Sequence, residues 1–382
     1  MMKKVAAMFN MQEQTTVLIH QTRIPRYREA FFLKLLEFGY LDGIEYKIVA
    51  SKDRLNKFQF ESKMTKNVLE CKNWVIKFGS REFHLPSLNE LNLRASVIIC
   101  EYGLKNAIVY WYILIKKQGS FVFWGHGDTT TKNISGIERS LKKILLKRAD
   151  FFLAYTQSCS NKLIENGFLR SKIQNVNNSV DTTAIIEGIR DFDRNHLQSI
   201  YQEYELTNTD IIFVYIGSLG VEKRIDFLSE AFQVINKIEP RAKLLIFSPD
   251  NFQRNLNQGF STCIKYLGEA NTDTKVKLSN IATALLNPGR VGLIAVDSFA
   301  MKVPIITTNW AFHAPEFSYL SEKNSIITEN SIEAFVEGCM KIVEDTKFLK
   351  ALKSGCEDSV KFYSIEKMAQ NFHEGVLKML TK

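Results

Sequence analysis

Two cation-bearing glycine turns are the parts of this sequence best suited to act on a phosphorylated ligand. Gly217-Ser218-Leu219-Gly220-Val221-Glu222-Lys223-Arg224 follows the apolar run 211–216 and leads into an amphipathic run to residue 237. Asn287-Pro288-Gly289-Arg290-Val291-Gly292-Leu293 follows the mostly apolar run 281–286 and opens an amphipathic stretch over 291–301 that stops before Pro304. Each reads as a strand end, a turn and a helix start. Gly289 and Gly292 carry no Cβ, so a ligand can lie close to the backbone, and the helix start offers unpaired N–H groups and a positive dipole end. Phosphate is the natural guest. A cation at a helix start is opposed by the dipole by roughly 0.3–1 kcal/mol, so Arg290 is either matched by a bound anion or simply solvated. Lys223 is likewise either a diphosphate ligand or a surface lysine. Asp297, about two turns into the helix beside Val296 and Phe299, needs hydrogen-bond donors, and sugar hydroxyls would serve.

The first half of the chain has three further candidates. Trp124-Gly125-His126-Gly127-Asp128 follows the run 120–124, and glycines on both sides expose a histidine that can hydrogen-bond a sugar near neutral pH. Gln21-Thr22-Arg23-Ile24-Pro25-Arg26-Tyr27-Arg28 lies between a strand and a helix; Arg23, Arg26, Tyr27 and Arg28 either grip a phosphorylated acceptor or cap a solvated helix. Glu101 and Tyr102 follow the run 96–100 and are placed to line the same acceptor region. His20, His84, His196 and His373 lack metal-ligand spacing, so metal-independent chemistry without a cofactor is expected, lysine and arginine neutralising the leaving group.

These residues must be positioned by alternating strands and helices. Runs at 16–20, 46–50, 75–78, 96–100, 120–124 and 151–154 read as strands, with helical periodicity at 27–38, 105–117, 136–149 and 158–166. A polar stretch, 177–209, interrupts the rhythm and reads as a linker. It then restarts with strands at 211–216, 243–247, 264–267 and 305–307, and a helical tail follows residue 331. The pattern predicts an α/β chain of two doubly wound domains, 1–185 and 186–364, their strand ends facing across a cleft suited to joining two substrates.

The bulk composition sets limits. At 382 residues, 45% hydrophobic and 24% charged, the chain suits two ordinary globular domains. A net charge of +9 calls for acidic partners, yet no arginine-rich run or lysine block singles out nucleic acid. Lys142, Lys143, Lys147 and Arg148 suit an anionic membrane surface or a merely solvated helix face. Six cysteines without C-x-x-C spacing read as reduced, buried thiols. Residues 1–9 are too weakly apolar for a signal peptide and no stretch approaches a membrane span, so a cytoplasmic protein, peripheral on the inner face of the cytoplasmic membrane, is expected.

The turn Pro288-Gly289-Arg290-Val291-Gly292-Leu293, the acid at Asp297 and the later Pro315-Glu316-Phe317 resemble the donor motif of retaining GT-B glycosyltransferases of family 4, in particular a bacterial surface-polysaccharide subgroup. The resemblance implies a GT-B fold of two Rossmann-like domains, with helix 365–382 crossing back to the first. It implies a nucleotide-diphosphate sugar donor, UDP-linked, held by Gly217, Ser218, Lys223, Arg224, Gly289, Arg290, Val291, Gly292, Leu293, Asp297 and Glu316. It further implies a lipid-linked glycan acceptor in capsule, O-antigen or exopolysaccharide assembly, with His126 in the cleft. Of the family's paired acids the second falls on Asp297, while the first falls on Gly289 and is missing; Ser218 stands where the family has arginine. Catalysis is expected of His126, Lys223, Arg290 and Asp297. The competing readings are a sugar-nucleotide epimerase or hydrolase of the same fold, and a nucleotide-binding scaffold subunit without catalysis.

Overall fold

The computed structural model describes residues 15–21, 24–51, 66–71, 73–78, 81–86, 95–103, 109, 119–127, 136–249 and 263–381. Apart from Val109, the helix expected over 105–117 lies outside the described residues, as do Arg23 and Asp128. The chain divides into two units, the first running to Asn178 and taking in the C-terminal helix, the second covering Ser179–Ser364.

In the first unit, strands β1 (Thr15–Gln21), β2 (Ile44–Ser51), β3 (Val68–Cys71), β6 (Val97–Glu101), β7 (Ser120–Gly125), β8 (Phe151–Ala154) and β9 (Ile173–Asn175) form one parallel sheet in the order β3-β2-β1-β6-β7-β8-β9. Helices α1 (Glu29–Leu41), α2 (Gly136–Lys147) and α3 (Gln157–Glu165) connect parts of it. Parallel strands covered on both faces are apolar throughout, which is why Val97–Cys100 and Phe121–Trp124 show no polar alternation. Val17 and Ile19 pack with Phe31, Phe32 and Leu35 of α1, whereas Leu18 faces the opposite layer with Leu146 and Leu163. The run 75–78 belongs elsewhere: β4 (Asn73–Phe78) pairs antiparallel with β5 (Arg81–Pro86) as a separate hairpin. Only Gly79 and Ser80 separate the two, too little chain for a parallel crossover.

The C-terminal helix, Ile365–Leu380, lies on the first sheet. Met368, Ala369, Phe372 and Val376 are buried in the same core as Phe31 and Trp124, with the rings of Phe372 and Trp124 at 5.1 Å. Gly375 lets it approach β8, since a Cβ there would stand 2.6 Å from Leu153. His373 ties the C-terminal end of α1 and the start of β2 to this helix: Nδ1 is 2.7 Å from the Tyr46 hydroxyl and Nε2 2.8 Å from Asp42 Oδ2.

The second unit opens with α4 (Thr183–Arg190) and α5 (Leu197–Glu203), so the stretch read as a polar linker is largely helical. Among its apolar residues, Ile185, Ile200, Tyr204 and Leu206 are buried against the second sheet, while Ile186 is exposed. That sheet is again wholly parallel: β10 (Ile211–Ile216), β11 (Ala242–Phe247), β12 (Ile264–Tyr266), β13 (Ala282–Leu286), β14 (Ile305–Thr308) and β15 (Ser325–Thr328), in the order β12-β11-β10-β13-β14-β15. Helices α6 (Ile225–Ile238), α7 (Thr272–Ile281), α8 (Ile294–Met301), α9 (Ile332–Glu344) and α10 (Thr346–Val360) cover its two faces. The order reverses direction between β10 and β13, a topological switch point of the kind at which doubly wound sheets bind ligands. Cys100, Cys159, Cys263, Cys339 and Cys356 are buried and form no disulfide among the described residues.

Truncating a fully buried aromatic side chain costs about 3–5 kcal/mol, so Phe372→Ala should lower the unfolding free energy of the first unit by that amount, and its urea midpoint with it, while Phe372→Leu loses far less. Unfolding followed by tryptophan fluorescence, to which Trp124 contributes, reads the difference.

Candidate functional site

The loops leaving β10 and β13 meet at the switch point. After β10, the Tyr215 hydroxyl donates to the Ser218 carbonyl at 2.5 Å, and a short 3-10 turn, Val221–Lys223, ends at Arg224. Arg224 adopts left-handed backbone angles, φ 55° and ψ 47°, uncommon for a residue with a side chain. Its guanidinium offsets that strain: Nη1 donates to Asn330 Oδ1 at 2.5 Å and to the Pro288 carbonyl at 3.2 Å, and the group lies over the Phe227 ring at 4.2 Å. Lys223 Nζ donates to the Arg290 carbonyl at 2.6 Å, and the Arg290 N–H returns to the Glu222 carbonyl at 2.8 Å.

Two turns joined this closely leave no space at Gly289. A Cβ there would stand 2.5 Å from Glu222 O and from Lys223 C. The glycine was expected to make room for a ligand; the neighbouring backbone fills that room instead. The amides expected to be open at the second turn are also partly used. Arg290 N–H goes to Glu222, and Val291 N–H donates to His313 Nδ1 at 3.1 Å, with the Val291 side chain fully buried. Helix α8 begins at Ile294 rather than 291, because 287–293 is a full turn, and the amides of Gly292, Leu293 and Ile294 make no hydrogen bond among the described residues. Beside them stands Glu316, 3% exposed, its Oε2 3.8 Å from where a Gly292 Cβ would lie.

His313 is the clamp that sequence reasoning left without a role. It accepts from Val291 N–H at Nδ1, and its Nε2, 2.8 Å from the Thr308 carbonyl, must then carry the proton. Burial lowers its pKa from 6.5 to about 4, with Arg290, Lys223 and Arg224 pushing the same way against the Thr308 bond. Phe317 stacks on the ring at 4.0 Å. The imidazole is therefore neutral near pH 7, fixed in one tautomer between two backbone groups.

Charge at this site is unbalanced. Lys223, Arg224 and Arg290 form no ion pair with a carboxylate among the described residues. Burial lowers the Lys223 pKa, Glu222 opposes this, and Arg290 adds to the lowering; burial also lowers that of Arg224. Asp297 stands apart from these cations. It sits in the first turn of α8, not the second, and its Oδ2 is 2.9 Å from Lys275 Nζ on α7, both side chains under one-fifth exposed. The donor it needed is thus a lysine that nothing in the local sequence singled out.

In the first unit, Arg26 and Tyr27 are exposed and Arg28 is buried. Glu101 is exposed at the end of β6, but Tyr102 turns inward: its hydroxyl donates to the Lys142 carbonyl at 3.0 Å and its ring meets Phe123 at 4.8 Å. It packs, half-buried, against the core on the sheet's α2 side. His126 is exposed, with its ring 4.6 Å from Tyr155, a neighbour the sequence reading missed.

The fold is that of the GT-B glycosyltransferases, two parallel-sheet α/β domains of Rossmann type in one chain. Residues 198–357, within the second unit, match the sequence profile of the family described as Glycosyl transferases group 1. A glycosyltransferase from Rickettsia africae superposes with a TM-score of 0.71 at 15% identity, over 97% of this chain and 99% of that one. Sucrose-phosphate synthase from Thermosynechococcus elongatus gives 0.71 at 12% identity, over 96% and 99%. HepE from Anabaena, solved with UDP, gives 0.70 at 14% identity, over 95% and 99%. No curated protein sequence matches the chain.

His313→Ala orphans the Val291 N–H and the Thr308 carbonyl, which costs about 1–3 kcal/mol near neutral pH. Because the folded pKa lies below the ordinary value, the contribution is complete above about 6.5 and is lost as pH falls toward about 4. The stability gap between wild type and variant should therefore narrow over that window, as measured by urea midpoints at successive pH values.

Proposed function

We propose that this protein is a retaining, hexosyltransferase-type glycosyltransferase that takes a sugar from a nucleoside-diphosphate donor, UDP-linked, and passes it to a lipid-linked or growing surface glycan. One observation carries the reading. Three cations without carboxylate partners among the described residues surround a turn at the sheet's switch point, beside the open amides of Gly292, Leu293 and Ile294. That arrangement lacks an anion, and a diphosphate supplies one. The match to Glycosyl transferases group 1 and the UDP-bound HepE structure support the same donor class.

Departure of the nucleoside diphosphate builds negative charge on its leaving oxygen. Lys223, Arg224 and Arg290 are held by backbone carbonyls before that charge appears, so little reorganisation accompanies bond cleavage. These cations take the part a divalent metal plays elsewhere, and no cofactor is invoked. Glu316 beside Gly292 is the carboxylate assigned to donor-sugar hydroxyls, replacing the acid missing at Gly289. His126 on the first unit is assigned to the acceptor, with Arg26 and Tyr27. Asp297 keeps its assigned place at the nucleotide, with Lys275 as the partner to be exchanged or shared.

Helix α2 suits an anionic membrane surface: Leu141 and Ile144 are 47% and 58% exposed, beside exposed Lys143, Lys147 and Arg148. No helix among the described residues is long and apolar enough to cross a membrane.

UDP at a hundredfold excess over its dissociation constant should stabilise the protein by about 2.7 kcal/mol, with UDP-sugars acting likewise and Lys223→Ala abolishing the effect. If no nucleotide raises the melting temperature, the donor reading is wrong. Binding without transfer to any glycan leaves the scaffold reading. Vesicles of anionic lipid should co-sediment wild-type protein and release the Leu141→Glu/Ile144→Glu variant; equal sedimentation of both removes α2 from the membrane contact.

A further inference from the structure

We infer that Arg28 is the seat of an oxyanion on the first unit, enclosed by Trp124 and Tyr155. Arg28 ends the short turn after β1 and is 3% exposed. Its guanidinium carbon lies 5.1 Å from the Trp124 ring, 5.3 Å from Tyr155 and 5.2 Å from Tyr27. The sole polar atom its side chain meets among the described residues is Met368 Sδ, 3.4 Å from Nη1 and a weak acceptor. The contrast within the chain is informative. Exposed Arg190 and Arg241 each hold a carboxylate, Asp191 and Glu239, while the buried arginine has none among the described residues.

Aromatic faces offset part of the cost of burying a guanidinium, but they accept none of its N–H groups in the plane where those groups point. A second donor nearby has the same deficit. Trp124 Nε1 is buried without a hydrogen-bond partner. Two buried donor groups in contact, both short of acceptors, specify an acceptor with several oxygens. A planar guanidinium fork matches a phosphoryl or carboxylate oxyanion.

The position favours a ligand over an internal tie. Arg28, Trp124 and Tyr155 follow or end β1, β7 and β8 at their carboxyl edge, where doubly wound sheets receive ligands. Tyr155 neighbours both Arg28, at 5.3 Å, and His126, at 4.6 Å, so the rest of a molecule whose anion sits at Arg28 can reach the exposed histidine. Tyr27, 48% exposed, forms the outer wall and can swing to admit it. Assigning that molecule as the glycan acceptor rests on the function proposed above; the binding of an anion does not.

The test uses the full chain carrying Lys223→Ala, which removes the main cation of the second unit's site. Pyrophosphate and glucuronate are titrated into this protein and into its Arg28→Lys derivative, and Trp124 emission is followed. One anion should bind Lys223→Ala and lose about tenfold or more in affinity with Arg28→Lys, since a point charge cannot form the bidentate pair. Pyrophosphate binding assigns the seat to phosphoryl groups, glucuronate binding to carboxylates. If Arg28→Lys proves unstable, a rise in the urea midpoint of Lys223→Ala with added anion supports the seat. Equal affinity in the two proteins, or no binding of either anion and no rise in midpoint, makes Arg28 a packing residue and overturns the proposal. Nucleotide stabilisation of wild-type protein is read separately, so the two ideas fail independently.

Discussion

The second unit's site depends on one steric fact, that the turn after β13 is pressed against the turn after β10 with no side chain between them. The missing Cβ of Gly289 allows the Glu222–Lys223 backbone to come within bonding range of Arg290. From that approach follow the Arg290-to-Glu222 amide bond, the Lys223 bond back to the Arg290 carbonyl, and the Arg224 bond to Pro288. Any larger residue at 289 would separate the turns and break the bonds of Lys223 and Arg224 across the joint. The room a side chain would take at 289 is thus traded for a joint between two loops, and the trade explains why the cations are ordered without carboxylates among the described residues.

That trade also determines what His313 can be. A charged imidazole beside Lys223, Arg224 and Arg290 would add repulsion to the cost of its own burial, so the neutral form is the one the fold tolerates. Neutral histidine has one donor and one acceptor, and the two backbone groups it meets, the Thr308 carbonyl and the Val291 N–H, use both. A serine or threonine is too short to span them, and a lysine has no acceptor.

Much of the fold was legible because parallel strands buried on both faces give unbroken apolar runs, and every strand of the second sheet except the edge strand β15 was visible that way. The hairpin β4–β5 was misplaced because a short apolar run does not say which sheet it joins. Helices α4 and α5 were hidden by composition: polar residues dominate the stretch, and its apolar residues, Ile185, Ile200, Tyr204 and Leu206 among them, are scattered along the buried side. At the site, turn glycines and cations announced themselves by local pattern. Partners distant in sequence did not. Lys275 meets Asp297, Asn330 meets Arg224, and Tyr155 meets His126, pairings that only the strand order creates.

The two units hold their cations by different means, and the difference bears on what each can bind. In the second, Lys223, Arg224 and Arg290 spend donors on carbonyls, which orders them yet leaves their charge unneutralised, a setting suited to a multiply charged guest. In the first, Arg28 is ordered by ring faces that take no in-plane hydrogen bonds, so nearly its whole donor set stays unspent among the described residues. The carbonyl-held cluster distributes its charge over a turn and favours a long diphosphate. The aromatic enclosure concentrates it and selects for shape, admitting one oxyanion whose oxygens match the guanidinium plane.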